Sequence, residues 1–154
     1  MSFDKAKNYL EARGFADRII VTKESTETVE LAAQALGTEP AAIAKTLSFL
    51  SEDGAFLILM EGTARIDNHK FKETFHMKAR MIPFEQVEER TGHAPGGVCP
   101  FGIRPGVPVY LDESLKKHDI VYPAAGDDHS GVRLHVDELE KAVGTFHWVD
   151  VCKN

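Results

Sequence analysis

Cysteine is scarce in this 154-residue chain: there are two, Cys99 and Cys152. They stand far apart and form neither a CxxC pair nor a zinc-ligand spacing. That argues against a disulfide scaffold or zinc module and fits a reducing, cytoplasmic setting. Long apolar runs are lacking as well. No stretch of ~18 apolar residues occurs, so no membrane span and no membrane partner is expected. The opening Met1-Ser2-Phe3-Asp4-Lys5 has no basic start leading into an apolar segment, so no secretory leader is expected. GxGxxG and Walker loops are absent, which leaves generic nucleotide binding without support. No Ser-His-Asp order, metal signature or pair of carboxylates stands out, and no cofactor is expected.

Positive charge is also short, with 18 Lys and Arg against 24 Asp and Glu, a net charge of −6. Wrapping a DNA duplex needs many basic phosphate contacts, so DNA is not an expected partner. Distribution matters more than the sum. Arg65, Lys70, Lys72, Lys78 and Arg80 face only Asp67 and Glu73 in their segment, a local excess of three positive charges, five minus two. A basic patch on an acidic chain suits a nucleic acid touched locally. The bland alternative is a solvated helix face.

What is present is enough for one core: apolar residues make up 43% of a chain of single-domain length, and residues 1–154 read as one domain. Phe3, Ala6, Tyr9 and Leu10 recur at helical spacing until Gly14. Arg18 to Thr22 reads as a short strand. Val29, Ala32, Ala33 and Leu36 form the apolar stripe of a helix capped by Gly37, and Pro40 suits a following helical turn. Ala44 to Leu50 and Ala55 to Met60 form a hairpin around Asp53-Gly54. Asn68 to Phe75 reads as a helix, Ala79 to Ile82 as a strand, and Phe84 to Thr91 as a helix ended by Gly92. Five glycines and four prolines between Gly92 and Pro108 forbid regular structure there. Strands are expected at Val109–Leu111, Ile120–Tyr122, Val132–Val136 and Phe146–Val151. A helix is expected over Asp137–Val143, with Asp137 as N-cap and Glu140 three residues on. This irregular interleaving predicts a mixed sheet rather than a purely parallel one.

Three features could carry chemistry. Lys45 shares a strand face with Leu47 and Phe49, because side chains alternate along a strand. It either snorkels from the strand end into water or stands at the floor of a pocket, where it meets an anion or a polarised carbonyl. Gly96-Gly97-Val98-Cys99-Pro100-Phe101-Gly102 is either an ordered surface loop or a loop whose amides approach a ligand without Cβ interference. Cys99 is a small side chain in that loop, or a nucleophile needing a histidine base, for which His93 is nearest in sequence. Asp127-Asp128-His129, with His135, matches no recognised metal spacing and reads as a solvated turn.

Taken together, these segments resemble a known family, the YbaK/EbsC group, or prolyl-tRNA-synthetase-associated editing domain. The resemblance spans about Ser25 to Asp150. It rests on Ile43-Ala44-Lys45-Thr46-Leu47, on Gly96 to Gly102, on Val109-Tyr110-Leu111-Asp112-Glu113-Ser114-Leu115 and on Ala124-Ala125-Gly126. It implies an α/β (α+β) fold, with a mixed, mostly antiparallel, partly barrel-like sheet flanked by helices. It also implies a free-standing deacylase that clears a wrong amino acid, such as Cys or Ala, from tRNA for proline. Lys45 matches the family's key polar pocket residue. Gly96, Gly97, Val98, Cys99, Pro100, Phe101 and Gly102, with Gly126 and His129, are then expected at the substrate. Cys99 stands where many members carry serine or threonine, and so bears on specificity. The expected partners are the tRNA acceptor end, bound through Arg65, Lys70, Lys72, Lys78 and Arg80, and prolyl-tRNA synthetase. A synthetase separates small side chains by only ~1–3 kcal/mol per methylene, so a second sieve is useful. Two other readings stay open: a non-catalytic module that binds aminoacyl-tRNA, an amino acid or a synthetase, and a hydrolase of another small ester that uses Cys99.

Overall fold

Helix α1 (Ser2–Ala12) buries Ala6 and Leu10, one turn apart, against the main core. The computed structural model describes residues 2–52 and 54–154; Asp53, to which the hairpin turn was assigned, lies outside them. Strand β1 (Ile19–Val21) leads to α2 (Val29–Leu36). Thr28 caps α2 by accepting from Leu31 N at 3.1 Å, and Gly37 closes it in the left-handed region at φ 71°. A 3-10 turn over Pro40–Ala42 then delivers the chain into β2 (Ala44–Ser51). The hairpin forms as expected: β3 (Gly54–Glu61) pairs antiparallel with β2, with Lys45 opposite Met60 and Phe49 opposite Phe56. β3 is buried from Phe56 onward, as its unbroken apolar run requires.

Helix α3 (Asn68–Phe75) is capped by Asp67, whose carboxylate accepts from Lys70 N at 3.0 Å. The Ala79–Ile82 segment runs beside β2 through Leu50 N–H to Arg80 O, Ile82 N–H to Ser48 O and one bridge, Phe49 to Met81. It is an edge contact too short to count as a strand. The helix expected over Phe84–Thr91 begins as a 3-10 turn and is α-helical only over α4 (Val87–Thr91), since Pro83 sets its start.

After the glycine- and proline-rich loop, β4 (Val109–Asp112) joins β3 in parallel, and β8 (His147–Val149) joins β4 in parallel. The main sheet is therefore mixed, in the order β2-β3-β4-β8. The strand expected at Val132–Val136 is two strands. β6 (Ser130–Val132) pairs with β1, and β7 (Leu134–His135) pairs with β5 (Ile120–Val121). Arg133 lies between them, its N–H bonded to Arg18 O. Helix α5 (Val136–Val143) starts earlier than expected. His135, not Asp137, is its N-cap, because β7 ends there and Glu138 reaches back to His135 N at 3.0 Å. Glu140 instead accepts from the Trp148 indole at 3.0 Å.

Among the described residues the strands form three separate ladders, and none closes into a barrel. Helices and loops pack on both faces of the main sheet. One face builds a core around Leu59, Leu111, Phe101 and α1. The other builds one around Phe49, Phe56, Ile58 and Phe71.

Candidate active site

The start of β2 runs along a cavity of about 320 Å³. Its walls come from α2 (Val29, Ala32, Leu36), from β2 (Ala44 to Leu47), from the glycine loop (Gly96, Val98) and from Tyr122 to Ala124. The apolar stripe of α2 therefore serves two ends: Ala33 packs into a small cluster with Ile43, and Val29, Ala32 and Leu36 also face the cavity.

Lys45 is half-buried at this cavity and reaches over the second core, as the strand alternation requires. Its Nζ donates to Ala64 O at 2.6 Å. An ammonium carries three N–H donors, so two remain for a ligand. Burial lowers the Lys45 pKa from its ordinary value; Arg65 nearby pushes the same way, while Glu30 opposes. Burial also pushes the Cys152 thiol up to about 12, so at neutral pH it offers Lys45 no thiolate partner. Thr46 contributes a buried Oγ1 that has no hydrogen-bond partner among the described residues.

The glycine loop divides its residues between cavity and core. Gly96 and Val98 line the cavity. Gly97 lies against the Gly126–Asp127 backbone, where an added Cβ would fall 2.5 Å from Asp127 N. Gly102 packs on Lys5 O of α1 and Gly126 on Ser2 O. Pro100 and Phe101 are buried, and the Phe101 ring belongs to the main core.

Cys99 is fully buried in that core and is not part of the cavity wall. A histidine does sit beside it, with His93 Nε2 at 3.5 Å from Sγ. That nitrogen also lies 2.6 Å from Phe101 O. A carbonyl only accepts, so Nε2 carries the proton and donates it there, and it cannot take one from the thiol. Burial pushes the Cys99 thiol up to about 12, the opposite of an activated thiolate. Burial also lowers the His93 pKa, and its buried Nδ1 has no partner among the described residues.

His129 is exposed, paired to Asp128 at 2.8 Å, and lies outside the cavity lining, whereas its neighbour Ser130 lines it. His135 pairs instead with Asp119 at 3.0 Å. The basic segment is spread out. Arg65 is exposed and close enough to Lys45 to influence its charge. Lys72 is exposed on α3. Lys78 and Arg80 are exposed beside Leu50, at the opposite end of β2. Five residues of strand put that end about 17 Å from Lys45. Lys70 is turned into the fold and is held by Asp150, Cys152 O and Asn154.

Sequence reasoning missed Thr26, Glu27, Thr28, Thr46, Tyr122 and Ser130 as cavity residues. No local pattern marks them: Thr46 follows Lys45 on β2, Thr26 and Ser130 meet through hydrogen bonds between segments remote in sequence, and Tyr122 reaches the start of β2 through its bridge to Ile43.

A mixed sheet with helices on both faces, and a lysine beside a glycine loop at an apolar cavity, define a small-ligand pocket of modest size. The chain belongs to the aminoacyl-tRNA editing domain family, whose model matches residues 23–142. It is 47% identical over 131 residues to YwhH of Bacillus subtilis, an uncharacterised protein, covering 84% of this chain and 83% of that one. It is 29% identical over 101 residues to EbsC of Enterococcus faecalis, a candidate Cys-tRNA(Pro)/Cys-tRNA(Cys) deacylase, covering 64% and 62%. A crystal structure of a candidate trans-editing enzyme for prolyl-tRNA synthetase superposes with a TM-score of 0.88 at 35% identity, over 99% of this chain and 98% of the other. Among the described residues no helix is long and apolar enough to cross a membrane.

Proposed function

We propose that this chain is a trans-editing deacylase that hydrolyses the ester of a misacylated tRNA, with tRNA for proline carrying a small wrong amino acid as the substrate. The observation that carries this reading is Lys45: a half-buried ammonium, with one donor spent on Ala64 O, standing at an apolar cavity of amino-acid size. The aminoacyl side chain enters between α2 and the glycine loop. The terminal phosphate or the ester carbonyl takes the two free N–H donors of Lys45.

In the reaction a water oxygen bonds to the ester carbon. The bond from that carbon to the ribose oxygen breaks, the ribose oxygen takes a proton, and the free amino acid leaves. A charged Lys45 cannot be the base. It stabilises the negative charge that develops on oxygen and fixes the reacting carbon in place. The neighbouring hydroxyl of the substrate's own terminal ribose relays the proton, taking one from the attacking water as it passes its own to the leaving ribose oxygen. Arg65, beside Lys45, contacts an acceptor-stem phosphate at the cavity, Lys72 contacts one along α3, and Lys78 and Arg80 contact phosphates further along. Prolyl-tRNA synthetase is the partner this reading implies, supported by the likeness to a candidate trans-editing enzyme for that synthetase.

The test is a deacylation assay of purified protein on tRNAs charged with proline, alanine and cysteine. Hydrolysis of a mischarged species with correctly charged prolyl-tRNA spared is the expected result. Tight binding with no hydrolysis of any species would make the chain a binding module instead.

A further inference from the structure

Lys70 stands in the basic segment, yet it has no donor to give a phosphate. Its ammonium makes three hydrogen bonds, to Cys152 O at 2.8 Å, Asp150 Oδ1 at 3.1 Å and Asn154 Oδ1 at 3.3 Å. Three donors on three oxygens exhaust the group. All three oxygens belong to the last five residues, 150–154. That segment in turn runs antiparallel to the loop between β3 and α3. Ile66 bridges Cys152, Asp67 N–H donates to Val151 O at 2.8 Å, and Lys153 N–H donates to Arg65 O at 2.8 Å. Val151 is itself anchored, its N–H bonded to the buried Asp112 carboxylate at 2.9 Å. Val151 and Cys152 are buried in the same core as Ala64. Within this loop, Ala64 O accepts the Lys45 ammonium at 2.6 Å.

The connection is therefore continuous: Lys70 holds the terminal segment, the segment holds residues 65–67, and the loop presents the carbonyl that orients Lys45. We propose that Lys70 is a positioning residue, which fixes the Lys45 ammonium through the terminal segment and the Ala64 carbonyl. This rests on the reading of Lys45 as the active-site cation. A reacting group misplaced by about 1 Å costs on the order of a hundredfold in rate, so loosening the segment has a measurable consequence although Lys70 touches no substrate.

The experiment compares wild type, Lys70→Met and Lys70→Arg in the full chain. Four quantities are read: NMR order of the Lys45 side chain, hydrogen exchange at the Asp67 and Lys153 amides, single-turnover deacylation, and tRNA affinity. In Lys70→Met the two amides exchange faster and the Lys45 side chain gains mobility. Turnover falls at least tenfold, and tRNA affinity stays within about twofold of wild type. Lys70→Arg, which keeps the donors, restores part of the rate. A turnover loss matched by an equal loss of tRNA affinity makes Lys70 a phosphate contact and overturns the proposal. A folded Lys70→Met whose Lys45 stays ordered overturns it too. If Lys70→Met does not fold, Asp150→Ala carries the test, since Asp150 is exposed at the surface. It should mobilise Lys45 to a smaller degree, and no change overturns the proposal. If wild type hydrolyses no mischarged tRNA, the functional reading fails alone, and the order of Lys45 in the variants still decides the positioning role.

Discussion

A lysine on an apolar strand face keeps its charge only if something replaces the lost water. For Lys45 the replacement is one carbonyl, Ala64 O. That Lys45 was exceptional was legible in sequence, because alternation along β2 puts it with Leu47 and Phe49. Its carbonyl partner was not legible, because Ala64 is nineteen residues away and reaches it only through the fold of the β3–α3 loop. Cys99 shows the reverse. Its setting in a glycine loop suggested a side chain facing substrate, but α1 and the main core close over it, and the loop turns Gly96 and Val98 to the cavity instead. A thiol pushed up to about 12 and fully buried should not alkylate in the native protein, while denatured protein reacts at once. Cys99→Ala should lose about 1–2 kcal/mol of stability and keep deacylation within about twofold of wild type. Mass spectrometry of iodoacetamide-treated protein, with the variant's turnover, checks both; an acyl adduct trapped on Cys99 would contradict the assignment.

Among the elements, α1, α2 and α3 each lie where the spacing of their apolar residues predicts them. Failures fall where a tertiary partner decides the boundary. β6 and β7 separate because each pairs with a different strand, and the Ala79–Ile82 segment has only the edge of β2 to pair with. The glycine loop was identified as irregular, but its rigidity comes from contacts remote in sequence, with α1 and with Gly126–Asp127. His93 is a buried member of this loop, and its pKa is lowered by burial. A histidine that resists protonation when folded costs nothing above its ordinary pKa of about 6.5. Below that pH the unfolded chain takes up the proton first, so stability falls as pH drops, until the folded value is passed. The melting temperature of wild type should therefore decrease between pH 7 and pH 5.5 more steeply than that of His93→Gln. Parallel curves would show that His93 is not the group responsible.

At the scale of the whole molecule, a net charge of −6 coexists with exposed cations near and beyond the cavity. The sequence located the basic segment but could not divide it. Only the fold separates Arg65 and Lys72 from Lys70, which the terminal segment occupies. If tRNA lies along this face, Arg65→Glu and Lys72→Glu should each weaken binding and reduce the salt dependence of affinity by about one phosphate contact. Unchanged affinity and salt slope in both would move the tRNA to another face.

All of these readings converge on Lys45, and its replacement by methionine tests them most directly. Lys45→Met keeps the apolar stem and removes a charge that burial already disfavours. The variant should keep its fold, with a melting temperature within about 4 °C of wild type, the shift that corresponds to roughly 1 kcal/mol at this size. Single-turnover deacylation of mischarged tRNA should then fall at least a hundredfold, with circular dichroism spectra superimposable on wild type. A folded Lys45→Met that deacylates at the wild-type rate would contradict the account, because among the described residues no other cation shares the cavity wall.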